Sequence, residues 1–333
     1  MVVKMNNTLP LKDKFVGALV GTHAGDALGM PVEGFSIDKI RGSFRKIEGF
    51  INSRLGIGTY TDDTQMTIGV AESLIDSRDF DGEDMSWRFI RNFEITRGYG
   101  PGTIQTLIRI RKGTGWDNAS KAVFPEGSYG NGSSKRIAPI GLLYGENTAV
   151  LIEQARKASI ITHSHPLSIN GAQLQAFAIA KALRLDPSEN VETNRQSFLT
   201  DLTDFSNSLA NPYPERMDII CDFLNGNPSE EEIITKLGNN EVSVNSVPTA
   251  LYCSLRHLDD FREGVLMAVN LGGDTDTIGA MTGAILGASN GINSIPAEWL
   301  DNLENGEKGR DYIIALAKRL FELYNEKLTN ESI

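Results

Sequence analysis

Glycine recurs at every fourth position through two stretches that otherwise read as helices: Gly17, Gly21, Gly25 and Gly29 near the start of the chain, and Gly279, Gly283 and Gly287 near its end. A glycine inside a helix costs about 1 kcal/mol relative to alanine, so two regular stripes require a compensating contact. The spacing lines each stripe along one helix face, where missing side chains let another backbone come close. In a membrane such stripes mark helix association, but His23, Asp26 and Asp274 interrupt or flank these segments. In a soluble protein they predict two central, tightly packed helices, each a candidate partner for the other. Both carry acidic residues at or near one end, so the packing could bring those carboxylates into one site.

The remaining pattern is helical. Apolar periodicity predicts helices over Leu11–Met30, Thr64–Ser77, Ala149–Ile160, Asn170–Leu185, Arg195–Leu209, Phe261–Val269, Thr277–Ala288 and Arg310–Lys327. Only Glu241–Val247 alternates like a strand, and Pro248 soon ends it. Breakers fall between these segments at 98–102, 113–115, 127–132, 225–228 and 238–240, and none forms a long linker. The expectation is one all-α domain over 1–333, with a core at about 12–300 and the polar stretch 186–240 as a peripheral helical layer. A net charge of −11 argues against nucleic-acid partners and anionic membranes. No apolar run reaches the ~18 residues a spanning helix needs. Met1–Leu11 lacks the apolar run of a secretory signal, and Cys221 and Cys253 lie far apart, so a cytoplasmic protein with inert thiols is expected.

Two clusters could carry chemistry. Thr61-Asp62-Asp63-Thr64 and Gly272-Gly-Asp-Thr-Asp-Thr277 each open a predicted helix. Either cluster alone is an ordinary helix cap. Together, four converging carboxylates would repel unless a cation neutralised them, and such hard oxygen donors suit Mg²⁺, Mn²⁺ or Ca²⁺. Ligands from two helices naturally serve a metal pair about 3.5–4 Å apart. The turn Gly127-Ser-Tyr-Gly-Asn-Gly132 could offer amides to a pyrophosphate, although most such clusters are plain turns. His163 and His165 have no other His or Cys nearby in sequence, which favours a positioning role over zinc binding. Glu33, a lone loop glutamate, reads as a solvated charge. Gly287-Ala-Ser289-Asn-Gly291 fits a serine-hydrolase pattern, but it follows a helix where that motif needs a strand.

Taken together these segments resemble the ADP-ribosylglycohydrolase family, which includes the dinitrogenase-reductase-activating glycohydrolases and the animal ADP-ribosyl-acceptor hydrolases. The matching pieces are Gly25-Asp-Ala-Leu-Gly29 with Glu33, Tyr60-Thr-Asp-Asp-Thr-Gln-Met66, Gly130-Asn-Gly-Ser with Arg136 and Pro139, Thr162-His163 with His165-Pro166, and Gly272 to Thr277. They follow the family's order from about residue 12 to 300. Family members commonly carry methionine before the arginine matched by Arg136; here Lys135 stands there, which alters the packing of the phosphate loop or adds a cation near it.

The resemblance implies an orthogonal multi-helix bundle with a central dimetal cleft holding two Mg²⁺ ions, with Mn²⁺ as a substitute. Thr61, Asp62, Asp63, Asp274, Asp276 and Thr277 would ligate the metals, and Asp62, Asp63 and Glu33 would serve catalysis. Gly127, Ser128, Tyr129, Gly130, Asn131 and His163 would bind substrate; Asp26 matches an acidic residue of the first helix, without a fixed role. The implied reaction cuts the glycosidic bond between ADP-ribose and an ADP-ribosylated protein or small conjugate, by a monomeric enzyme. The loop spelling favours O-linked acceptors (serine, O-acetyl or polymer) over arginine. An inactive ADP-ribose-binding relative and a Mg²⁺-dependent phosphohydrolase are the competing readings.

Overall fold

The structure is a computed structural model describing residues 9–331 apart from Pro187; the N-terminal segment in which a signal was sought lies almost wholly outside it. Among the described residues it contains 17 α-helices, three short 3-10 turns and no strand. The centre is the pair Leu11–Gly29 and Thr275–Asn290. A Cβ built on Gly21 would lie 2.2 Å from the Gly283 carbonyl oxygen, one on Gly25 2.0 Å from that of Gly279, and one on Gly17 2.4 Å from that of Gly287. At Gly29 the same test meets the carbonyl oxygen of Thr275 at 2.3 Å. The partners step by four in opposite directions, so the helices are antiparallel and touch backbone to backbone over their whole length. This contact is what the two stripes required. Both helices are buried almost all round, as befits the centre of a helical layer stack.

Antiparallel packing puts the last turn of the first helix beside the first turn of the late one. Asp26 and the pair Asp274 and Asp276 therefore share one end of the molecule. Around this axis pack Asp62–Ser77, Pro166–Ala182, Ser243–Arg256, Phe261–Asn270 and Arg310–Glu331. Gln175 from the second of these donates to the Met281 carbonyl at 3.0 Å, a buried tie to the central pair. The helices Val191–Ser206, Tyr213–Asn225 and Glu230–Lys236 form an outer group, burying Phe198, Leu202, Met217, Ile220 and Ile233.

One ambiguous stretch is resolved and one helix boundary is corrected. The alternating stretch 241–247 is not a strand: a helix runs Ser243–Arg256 with Pro248 inside it. Proline near a helix start removes a single intrahelical donor, and Val244, Val247, Ala250 and Leu251 continue the helical face beyond it. The alternation survives only as one antiparallel bridge, Gly130 to Val242. The helix expected from Asn170 starts at Pro166 instead, because the His165 ring nitrogen Nδ1 accepts from the Leu167 amide at 3.2 Å and caps it. The serine-hydrolase look-alike is a helix end: Ser289 is buried in the last turn and Gly291 closes it at φ 72°.

The central contact yields a direct test. Gly21→Ala forces a methyl into the Gly283 carbonyl, so the helices must separate; chemical denaturation should show a loss of about 3 kcal/mol or failure to fold. Gly42→Ala, in the exposed Ile37–Phe44 helix with nothing within 4 Å of its added Cβ, should leave stability unchanged or raise it by up to about 1 kcal/mol. Equal midpoints for the two variants would contradict the contact.

Candidate active site

Asp26 is the hinge between the central pair and the site. Fully buried, it accepts from the Thr61 amide (3.0 and 3.1 Å), the Thr64 amide (3.0 Å) and the Thr64 hydroxyl (2.6 Å). These are the otherwise unpaired donors at the start of the Asp62–Ser77 helix, so Asp26 caps that helix from outside it. The segment leading into it is gripped on both sides. Arg97 lies 4.0 Å over the Tyr60 ring, donates to the Tyr60 carbonyl at 2.8 Å and makes two 2.9 Å bonds to Glu304. The His23 ring meets Tyr60 edge-on at 5.1 Å and contacts the Gly58 carbonyl at 3.3 Å. Asp62 and Asp63 thus start a helix whose direction the first helix sets.

The other half is placed as tightly. Gly272 and Gly273 adopt positive φ, and a Cβ on Gly273 would lie 2.0 Å from the Asn239 carbonyl oxygen, so only glycine fits this turn. The Asp274 amide donates to that carbonyl at 2.7 Å. Gly273 also exchanges 2.8 Å backbone bonds with Phe35 and Gly34, which brings the Glu33 loop against Asp274. One carboxylate oxygen from each of Glu33, Asp274 and Asp276 lies within 4.8 Å of the others, a spacing that can hold a metal ion.

Crowding shapes the electrostatics. Asp276 and Asp26 are driven well above the usual carboxylate range by burial and then by Asp63. Asp274 is raised for the same reasons, partly offset by its bond from Asn131. Asp62 is pushed up to about 6, burial outweighing the attraction of Lys135. Glu33 faces solvent in the cleft yet is pushed up to about 7 by the packing beneath it, then by Asp274 and Asp63. Asp63 is fully buried; the Lys135 ammonium lies against its Oδ1, and its Oδ2 receives no hydrogen bond. Such carboxylates are the chemistry a divalent cation satisfies.

The glycine-rich loop borders the same cleft. Asn131 joins its two parts, donating to Asp274 Oδ2 at 2.5 Å and to the Ser246 hydroxyl at 3.0 Å. Three loop amides are already engaged: Gly127 donates to the Phe124 carbonyl at 2.8 Å, Gly130 to Ser128 Oγ at 3.3 Å and Asn131 to the Glu241 carbonyl at 2.9 Å. Gly127, at φ 85°, turns the chain so closely that a Cβ would sit 2.2 Å from the His165 amide nitrogen. It faces His165 rather than the cleft, and the exposed Tyr129 ring packs edge-on against His165 at 5.9 Å. His163 is buried against Gly132, its Nδ1 2.7 Å from the Thr162 hydroxyl, and burial with nearby Arg136 and Lys135 lowers it to about 3. It is a neutral ring at physiological pH.

Of the residues expected at the site, Glu33, Asp62, Ser128, Gly130, Asn131, His163, Asp274, Asp276 and Thr277 line one cleft. Asp63 and Thr61 lie buried beneath it, and Gly127 and Tyr129 stand behind or beside it. Sequence reasoning missed the opposite wall, formed by Gly98, Pro101, Gly102, Thr103 and Phe124. The Phe124 ring lies on Gly102, where a Cβ would come within 2.6 Å of it. The glycine cluster at 98–102 was visible, but read only as a break between helices. Lys135 also lines the cleft.

The profile of the ADP-ribosylglycohydrolase family matches residues 7–329. ADP-ribosylhydrolase ARH3 of Danio rerio is 33% identical over 93% of this chain and 90% of its own length. ADP-ribosylhydrolase ARH3 of Homo sapiens is 31% identical, over 93% and 94%. A solved structure described as an ADP-ribosylglycohydrolase-related protein complex is 31% identical and superposes with a TM-score of 0.74, covering 94% of this chain and 99% of that one. With residues 7–329 matched and the acidic helix starts converging on one cleft, this protein belongs to the ADP-ribosylglycohydrolase family, hydrolases that act on the glycosidic bonds of ADP-ribose.

Proposed function

We propose that this chain releases ADP-ribose from an O-linked acceptor, using divalent cations held between the two acidic helix starts. The observation that carries the reading is the position of Glu33: solvent-facing in the cleft and beside Asp274 and Asp276. A general acid or base must first lie within reach of the proton it moves. In the reaction the bond between the distal ribose carbon and the acceptor oxygen breaks, and a water oxygen bonds to that carbon. The water's proton ends on the acceptor oxygen. Glu33 is the group placed to move that proton. Asp62, Asp63, Asp274 and Asp276, with Thr61 and Thr277, would hold Mg²⁺ or Mn²⁺. Bound there, the cations would fix the ribose hydroxyls and activate a water.

The remaining residues fit the rest of the substrate. Since the Gly127, Gly130 and Asn131 amides are used internally, the diphosphate would meet the remaining loop amides and Ser128. The exposed rings of Phe124 and Tyr129 offer flat apolar surface near the loop for an adenine. His163, neutral and buried, would shape the loop rather than carry charge. The spelling Gly127-Ser-Tyr-Gly-Asn-Gly132 supports an O-linked acceptor. The same reading takes the chain as one catalytic unit, active as a monomer.

Glu33→Gln should slow turnover at least a hundredfold while ADP-ribose affinity, read by calorimetry, changes less than threefold; normal turnover would remove Glu33 from the mechanism. In single-turnover assays on matched peptides, serine-linked ADP-ribose should be released faster than arginine-linked, and chelator should stop both. Faster arginine release would move the chain to the other branch.

Gly130→Val should keep the melting temperature, because a Cβ there has ordinary clearance of 3.4 Å from His163 and Ser128. Its methyls would narrow the cleft and weaken ADP-ribose binding at least tenfold, whereas Ser134→Ala should leave binding unchanged. Equal affinities for both variants would return the loop to a plain turn.

Raised carboxylates also couple stability to pH. Asp62 and Glu33 bind protons more tightly folded (about 6 and about 7) than unfolded (3.8 and 4.5). Their contribution is therefore present at low pH and lost as pH rises through 6 to 7. The rise in melting temperature on adding saturating Mn²⁺ should accordingly be larger at pH 8 than at pH 5. An equal rise at both would contradict the assignment of Asp62 as a ligand.

A further inference from the structure

Lys135 is the cleft residue whose position the proposed reaction leaves unexplained. Its ammonium lies 2.9 Å from Asp62 Oδ2 and against Asp63 Oδ1, with only 12% of its side chain exposed. The residue is fixed from both sides. Its amide donates to the Asn131 carbonyl at 3.2 Å, and the next residue, Arg136, is wholly buried, donating to the Ala158 carbonyl at 3.0 Å with its guanidinium 4.6 Å from the Phe89 ring centre. The other half of the cleft has no ion pair of its own among the described residues: Glu33, Asp274 and Asp276 cluster with the neutral Asn131 amide on Asp274, and Lys135 acts on Asp276 only from a distance. The two halves of the site are thus electrostatically unequal.

We propose that Lys135 is a built-in cation for the Asp62/Asp63 half of the cleft. A divalent ion enters the Glu33/Asp274/Asp276 half first, and one reaches Asp62 and Asp63 only by displacing the lysine. The argument is one of mutual exclusion. A divalent cation held by both Asp62 and Asp63 would sit at about 2.0–2.6 Å from their oxygens, within the space the ammonium fills. Two cations so close would also repel strongly in a buried site. The flexible four-carbon stem lets the ammonium withdraw into the cleft, so displacement is feasible. Without metal, Lys135 offsets the repulsion among Asp62, Asp63 and Asp276 and holds the cleft together. Lys135 is a positioning residue here, and its role rests on the metal reading of the site given above.

The test is calorimetric titration of metal-stripped full-length protein with Mn²⁺, alongside thermal melts. The wild type should bind a first ion tightly and a second at least tenfold more weakly. Lys135→Met, which keeps chain length and removes the charge, should tighten the second ion at least tenfold. Without metal it should melt lower than wild type, and its melting temperature should rise more on adding Mn²⁺. Lys135→Gln should follow Lys135→Met if the latter folds poorly, and Lys135→Arg should keep the wild-type inequality. Unchanged binding of both ions in Lys135→Met and Lys135→Gln would overturn the proposal and leave the metal reading standing. If no variant and no wild type binds Mn²⁺, the metal reading falls and this proposal with it.

Discussion

The backbone contact between Leu11–Gly29 and Thr275–Asn290 is the constraint on which everything else hangs. Four glycines on one helix and three on the other remove every Cβ from a seam where carbonyl oxygens would otherwise collide with side chains. The register of that seam fixes Gly29 against Thr275, and so fixes Asp26 relative to Asp274 and Asp276. Asp26 in turn orients a third helix by capping it. Few side chains intervene between the stripe and the cleft, so the separation of the acidic clusters is set by rigid backbone. Two helix N-termini point into the cleft, and their partial positive charge eases the concentration of carboxylates there.

That arrangement is frustrated by design. Asp62, Asp63, Asp274 and Asp276 would each be more stable in water than beside one another, and burial has raised most of their proton affinities. Local rules are broken where function is located, and the surrounding structure must compensate. Here the compensation is visible as the large apolar core around the central pair and as Lys135 inside the cluster. A cation is thus part of the electrostatic balance whether it comes from the chain or from solution.

Much of this was legible in the sequence because glycine and aspartate carry unambiguous local meaning. The stripes announced a close helix contact, and the two Thr/Asp clusters announced helix starts with an excess of carboxylates. What was not legible depended on tertiary partners. Nothing local says that Asp26 caps a helix 35 residues away, or that Asn131 bonds Asp274 across the cleft. Glu33 reads as an ordinary loop charge until Gly273 ties its loop to the late helix. The alternation at 241–247 is ambiguous because so few residues fit both periods, and Pro248 lies inside the helix Ser243–Arg256 rather than ending an element. The wall around Gly102 and Phe124 is not legible locally because Gly102 serves packing against a ring from a later segment of the chain.

The most direct test of this account is anomalous diffraction from crystals of the protein loaded with Mn²⁺. The account predicts a peak between the two helix starts, within coordinating distance of Asp274 and Asp276 and adjoining Glu33. With full occupancy, a second peak beside Asp62 and Asp63 should appear together with a displaced Lys135. Manganese bound elsewhere on the protein, with this cleft free of any peak, would contradict it.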